Sequence, residues 1–471
     1  MAKRNKHHHV LCVPLPQQGH ITPMLKLAKL FHHKGFHVTF ANTESNHKRV
    51  LESRGPHSLD GLSDFCFETF PLDLPPPTSS LSLNMLALRQ ACRRDFSSRF
   101  SDLLTRLNES SPPVTLVVSD AFLTYTVAVS NQMGIPNVLL WNMGASGFVS
   151  FVKSRQQIEK CVTLLKDSVS FDSEEWDSPL EWIPGMKGAK LRDLVGIIRT
   201  MDLNKFLESS GQGELERACK ASGMIFHTFG SLEGYELDKL LPMSGAKVYG
   251  IGPMQLMLNR VSCRFYDSVE CNLWNEEPGC LRWLDSKEVG SVVYINFGST
   301  TVVTVEQMAE LASGLIGARQ NFLWVIRPDM VVGDGGVVLE KYLGQTAEYG
   351  LVGSWCSQEQ VLNHPAVGVF MTHCGWNSTV ESISAGVPMI CWPFFGDQFV
   401  NCRKICNEWG VGVELSKDFN GEEVKCLVGE MLVGELGKKM KRKAMEWRLL
   451  ADKAVASSDK SLDKLVADLL S

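Results

Sequence analysis

THCGWNSTVESISAG, residues 372–386, passes from an apolar run through a polar loop and straight into helix-forming sequence. The residues just upstream, Val367 to Met371, are apolar and rich in β-branched side chains, the composition of a strand buried on both faces. Ser378 and Glu381 stand in S-x-x-E spacing, which predicts a capping box and a helix start. A buried strand that turns through Gly375 into a helix is the repeating unit of a doubly wound parallel sheet. The turn leaves backbone N–H groups pointing outward at the positive end of the helix dipole, where a phosphate is well held.

Working outward, the same alternation fills most of the chain. Strands are predicted at 10–14, 36–42 and 114–120 in the first half, with a helix over 22–34 that has Thr22 as N-cap and Pro23 as its first residue. Pro75 to Pro77 falls in a long loop. A second series opens with the strand 292–297 and the loop Gly298-Ser299-Thr300. A helix from Thr304 to about Arg319 follows, begun by the box Thr304-x-x-Gln307. The segment 253–280 breaks the rhythm. The expected organisation is therefore an N-terminal Rossmann-like domain (1–252), a linker (253–280), a C-terminal Rossmann-like domain (281–455), and a last helix (456–471) that packs back on the first domain. Ligands of such sheets lie at the C-terminal strand ends, so two facing sheets imply a site in the cleft.

Composition narrows the function. The chain has 471 residues, 21% of them charged, and a net charge of −5, which gives no reason to expect nucleic acid or an anionic membrane as partner. No transmembrane run or signal-peptide core is found, and the 14 cysteines lack disulfide-framework spacing, so reduced thiols and a cytoplasmic protein are expected. Cys402 and Cys406 share an i,i+4 face, which reads as core packing rather than a metal pair. His7, His8 and His9 read as a solvated run. Asn377-Ser-Thr is also a glycosylation sequon, whose use would block this loop and which thus favours the cytosol.

His20 lies after the first strand and Asp120 ends another strand of the same half, so both reach the ligand edge of one sheet. A histidine oriented by an aspartate is the arrangement of a general base, although polar residues at strand ends are common in any α/β domain. A dinucleotide site would need G-x-G-x-x-G after the first strand. The loop there, LPQQGH, lacks those glycines, even though Glu44 could supply the acid.

Residues 355–398, WCSQEQVLNHPAVGVFMTHCGWNSTVESISAGVPMICWPFFGDQ, resemble the 44-residue signature box of plant secondary-metabolite UDP-glycosyltransferases from its opening Trp to its closing Gln. FHHKGFHVTFANTE (31–44), WIPGMKGAKLRDL (182–194), EEPGCLRWLDSKE (276–288) and VVYINFGSTT (292–301) extend the resemblance over nearly the whole chain. They are similar to the subfamily that glucosylates terpenoids and cyanohydrins. The resemblance implies the GT-B fold, with acceptor bound mainly by the first half and UDP-sugar by the second. No cofactor and no metal are expected, and the protein should be a monomer whose partners are the UDP-sugar and a small aglycone.

The resemblance also assigns roles. Trp355 stacks on uracil, the Cys356 backbone pairs with its edge, and Gln358 lies beside the nucleoside. Glu381 holds the ribose hydroxyls, in conflict with its capping-box reading. His373, Asn377 and Ser378 hold the diphosphate with the Gly375–Trp376 turn behind them, and Ser299 donates from the facing loop. Asp397 and Gln398 hold the sugar hydroxyls, a closing Gln favouring glucose over galactose. Without the box, Trp355 is a core residue, and Asn377, Ser378 and Ser299 are turn or cap residues. His20 is the implied base of an inverting displacement and Asp120 its orienting partner. Asn142 stands where the subfamily usually has Thr or Ser and is expected to reach the sugar 6-hydroxyl or the diphosphate. Phe122 and Met143 are the candidate acceptor contacts. Another UDP-sugar, or a non-catalytic UDP-sugar-binding protein, are the alternatives.

Overall fold

The computed structural model describes residues 8–72, 81–110, 112–166, 173–179, 190–191, 214–327, 330 and 349–470. The Pro75–Pro77 loop and most of 182–194 lie outside them. Two parallel sheets form the frame. The first contains β1 (His9–Val13), β2 (His37–Thr43), β3 (Phe65–Phe70), β4 (Val114–Asp120), β5 (Asn137–Trp141), β6 (Gly223–Phe226) and β7 (Val248–Gly250), in the order β3-β2-β1-β4-β5-β6-β7. The second contains β8 (Val292–Asn296), β9 (Asn321–Val325), β10 (Gly350–Gly353), β11 (Val367–Thr372), β12 (Met389–Cys391) and β13 (Gly412–Glu414), in the order β10-β9-β8-β11-β12-β13.

The central strands β1, β5 and β8 are buried at every position, because helices cover both faces. Their order reverses at β1–β4 and at β8–β11. These are the topological switch points, and His20 and the 372–386 loop follow two of the strands that flank them. The Thr304–Gln307 capping box forms as read, with Thr304 accepting from the Gln307 N–H, and starts the helix Val305–Ala318.

Two readings are corrected. The first helix runs Gln18–His33 and begins before Thr22, so Pro23 lies inside it. Proline is tolerated there because the carbonyl it leaves unbonded, that of Gly19, takes the Asn377 side-chain amide at 2.6 Å instead. The Ser378–Glu381 capping box does not form. Gly375 is the N-cap of the helix Trp376–Ala385 and provides no side-chain cap. The segment 253–280 holds the short helices Met254–Asn259 and Arg264–Ser268 and no strand among its described residues.

The last helix, Glu435–Leu470, is continuous across both sheets' territory. Ala444, Ala451 and Ala454 pack in the core of the second sheet, while Leu462 and Leu465 enter that of the first. Tyr249 Oη donates to Asp468 at 2.8 Å, and Ser458 bonds the Gly252 carbonyl. Among the described residues no helix is long and apolar enough to cross a membrane.

Candidate active site

A cavity of about 1490 Å³ opens between the C-terminal edges of the two sheets. Every site residue named from the sequence lines it except Asp120, which stands fully buried behind His20. At one wall His20 Nδ1 lies 2.7 Å from Asp120 Oδ2, and Asp120 Oδ1 accepts the Phe122 N–H at 3.0 Å. With Nδ1–H donated to the carboxylate, Nε2 is the free basic nitrogen, and the Phe122 ring meets the imidazole edge-on at 5.8 Å. Met143 follows along the same wall.

Opposite, the HCGWNS loop and the Gly298–Thr300 loop face each other across His373. A Cβ on Gly298 would lie 2.6 Å from the His373 ring, and one on Gly375 would lie 2.3 Å from its Nε2. Glycine at both positions is what lets the ring sit between the two loops, and Gly298 also has φ +75°. Burial and the neighbouring Arg327 guanidinium depress the His373 pKa to about 4, so the ring is neutral at pH 7. Arg327 itself ties the Gly298 and Thr301 carbonyls at 2.9 and 2.8 Å. Ser299 borders the cavity on this loop. Gly298→Ala is expected to displace the ring and lower kcat/KM for the donor at least about tenfold. Steady-state kinetics and a UDP titration check this, and wild-type values for both would refute the role given to the ring clamp.

Another wall of the cavity is built on Gln358. Its Nε2 donates to Ser378 Oγ at 2.9 Å and to Glu381 Oε2 at 2.8 Å, while its Oε1 accepts from Asn296 at 3.0 Å and Tyr294 Oη at 3.3 Å. Glu381 is therefore held by a side chain and not spent on a helix cap. Burial raises its carboxyl pKa, and Lys26 of the first helix pulls it back from 3.2 Å. Burial works against the Lys26 charge, but Glu359 and Glu381 together outweigh it and leave the ammonium pKa raised. Trp355 borders the cavity with Trp274 of the linker stacked on it at 4.8 Å. The Cys356 side chain is buried beside the Tyr294 hydroxyl, leaving its backbone for an edge contact.

At the remaining end burial pushes the Asp397 carboxyl up to about 6, with the Asn401 amide donating to it at 3.0 Å. Gln398 Oε1 accepts the Phe394 and Phe395 N–H groups at 2.8 and 3.1 Å, which fixes the amide and leaves its NH₂ for a ligand.

Three assignments change in character. Asn142 was expected at the sugar, but its Nδ2 lies 2.6 Å from Asp120 Oδ2 and 2.8 Å from His20 Nδ1. Trp376 spends its indole N–H on the His227 carbonyl at 2.9 Å and is buried, so it joins the two halves and offers the cavity only ring and backbone. Asn377 gives its NH₂ to Gly19, beside His20. Cys402 packs in the core with Cys374 and Cys391, three buried thiols whose sulfurs lie within 4.8 Å of one another under this loop, and Cys406 packs against the same cluster.

Sequence reading missed Lys26, Gln18, Tyr294, Asn296 and Arg327. Gln18 is buried and holds the linker through the Leu273 N–H at 2.7 Å and the Cys271 carbonyl at 3.2 Å. Tyr294 and Asn296 lie within the VVYINFGSTT stretch without being marked by it as site residues, and each of the five acts through a partner distant in sequence.

Residues 7–256 match the family "Glycosyltransferase, N-terminal domain", and residues 252–460 match "UDP-glucoronosyl and UDP-glucosyl transferase". The chain is 47% identical over 475 residues to a 7-deoxyloganetin glucosyltransferase of Catharanthus roseus, covering 99% of this chain and 97% of that one. It is 45% identical over 469 residues to an (R)-mandelonitrile beta-glucosyltransferase of Prunus dulcis, covering 98% and 97%. A solved UDP-glucosyltransferase from Polygonum tinctorium that glucosylates indoxyl shares 30% identity with a TM-score of 0.74, covering 98% of this chain and 99% of that one. Full-length kinship at this level, on two facing parallel sheets of the GT-B type, leads to one conclusion: the chain belongs to the UDP-glycosyltransferases.

Proposed function

We propose that the protein transfers glucose from UDP-glucose, with inversion, to a hydroxyl or carboxyl group of a small lipophilic plant aglycone such as a terpenoid. The observation that carries this reading is the His20–Asp120 dyad at 2.7 Å, opening into the same cavity as Trp355, Glu381, His373 and Asp397. His20 Nε2 removes the acceptor proton as the oxygen attacks the anomeric carbon, and Asp120 stabilises the imidazolium that results. UDP departs with its charge met by the N-terminus of Trp376–Ala385 and the donors of His373, Ser378 and Ser299. Trp355 stacks on uracil and Glu381 accepts from the ribose hydroxyls. The GT-B partition of acceptor and donor between the two halves, a cytosolic location and a monomeric state belong to the same reading. The relatives' named activities on 7-deoxyloganetin and mandelonitrile support a compact apolar aglycone, as do Phe122 and Met143 beside the base.

The test is a panel of hydroxylated aglycones with UDP-glucose, read by UDP release and product mass. No transfer to any of them, or transfer only from another UDP-sugar, overturns the proposal. Donor choice is assigned to Asp397 and Gln398. Gln398→His is expected to lower kcat/KM with UDP-glucose and narrow the gap to UDP-galactose while UDP affinity stays within about twofold. A competition assay between the two donors checks it. An unchanged ratio with UDP binding lost would place the sugar elsewhere.

A further inference from the structure

We propose that Asn142 is a positioning residue of the catalytic base, holding Asp120 and setting how much of its charge reaches His20, rather than a contact to the donor sugar. This rests on His20 being the base. Three adjacent strands deliver the group. His20 lies in the helix after β1, Asp120 ends β4, and Asn142 follows β5, whose Leu140 is in register with Asp120. Asp120 Oδ2 thereby faces two nitrogens, His20 Nδ1 at 2.7 Å and Asn142 Nδ2 at 2.6 Å, and those nitrogens are 2.8 Å apart.

Chemistry fixes the orientation of the amide. Were it reversed, Asn142 Oδ1 would stand against a carboxylate oxygen, two acceptors with no proton between them. With Nδ2 toward Asp120, both nitrogens donate to Oδ2 and neither donates to the other. Oδ1 then points away, buried and without a partner among the described residues.

Two effects follow. The carboxylate is pinned by donors on both oxygens, Phe122 N–H on one and the two nitrogens on the other, so the imidazole it orients cannot swing. The hydrogen bond from Asn142 also satisfies part of the carboxylate's charge, which is then less available to the imidazolium formed when His20 takes the acceptor's proton. The other charges facing this group are Asp397, at the start of Gln398–Arg403, and Glu233 behind it, while Lys26 on the His20 helix is turned to Glu381 and Glu359.

The experiment compares full-length wild type, Asn142→Ala, Asn142→Asp and His20→Ala across pH with UDP-glucose and an accepted aglycone. Asn142→Ala is expected to lower kcat about tenfold with KM for UDP-glucose within about twofold, and to move the acid limb of the pH profile upward. The ratio of UDP-glucose to UDP-xylose use should not change, since xylose differs only at the 6-carbon. Asn142→Asp sets a second carboxylate against Asp120 and should lose more than Asn142→Ala. A raised KM and an altered donor ratio with an unmoved pH limb would overturn the proposal in favour of a sugar contact. Should Asn142→Ala fail to fold by circular dichroism, near-wild-type turnover in Asn142→Asp overturns it equally. Retained activity in His20→Ala would instead strike at the base assignment beneath it.

Discussion

Replacing His20 with alanine is expected to lower kcat at least about 100-fold while UDP affinity stays within about twofold. The imidazole lines the cavity wall with one nitrogen fixed by Asp120 at 2.7 Å and the other left to face the cavity. It belongs to the first sheet's half, whereas the residues assigned to UDP come from the second. Loss of the base therefore separates chemistry from nucleotide binding. Single-turnover measurements beside calorimetric titration with UDP make the distinction. Turnover near wild type would remove His20 from the mechanism, and a parallel collapse of UDP affinity would show that the variant had disturbed the cleft.

Glu381→Gln is expected to weaken UDP binding about tenfold or more, since a hydrogen bond to a charged group is worth roughly 1.5–3 kcal/mol. The geometry sharpens this test. Glu381 caps nothing, so a loss of helix stability cannot account for the result, yet it pairs with Lys26 across the two halves. Removing its charge leaves Lys26 with Glu359 as its remaining carboxylate partner among those that the structure places on it, and the melting temperature should fall too. Lys26→Met separates the effects, because it breaks the same pair and keeps the ribose acceptor. It should lower the melting temperature while UDP affinity falls less than in Glu381→Gln. Equal losses of affinity in both variants would mean that Glu381 acts through the ion pair rather than on the ribose.

The sequence by itself determined the alternating strands and helices, since fully buried parallel strands must be written as apolar runs and β4 is bounded as read. It also placed His20 and Asp120 at the ligand edge of one sheet, because they lie after and at the end of strands of the same half, while the resemblance of 355–398 to the family box named the rest of the cleft. It misjudged where local signals compete. Thr22-Pro23 resembles a helix start, but Gly19 can be bonded by Asn377 instead, so the helix begins earlier. Ser378 and Glu381 have capping-box spacing, yet Gln358 and Lys26, about 20 and 355 residues away, hold these side chains more strongly than the helix end does. The place of Asn142 was decided in the same way. The family resemblance put it near the sugar, and only the approach of β4 turned its amide to Asp120. Backbone periodicity is encoded within a few residues, whereas the partner of a buried polar side chain is chosen by whichever group folding brings within hydrogen-bond reach, and that is a property of the tertiary structure alone.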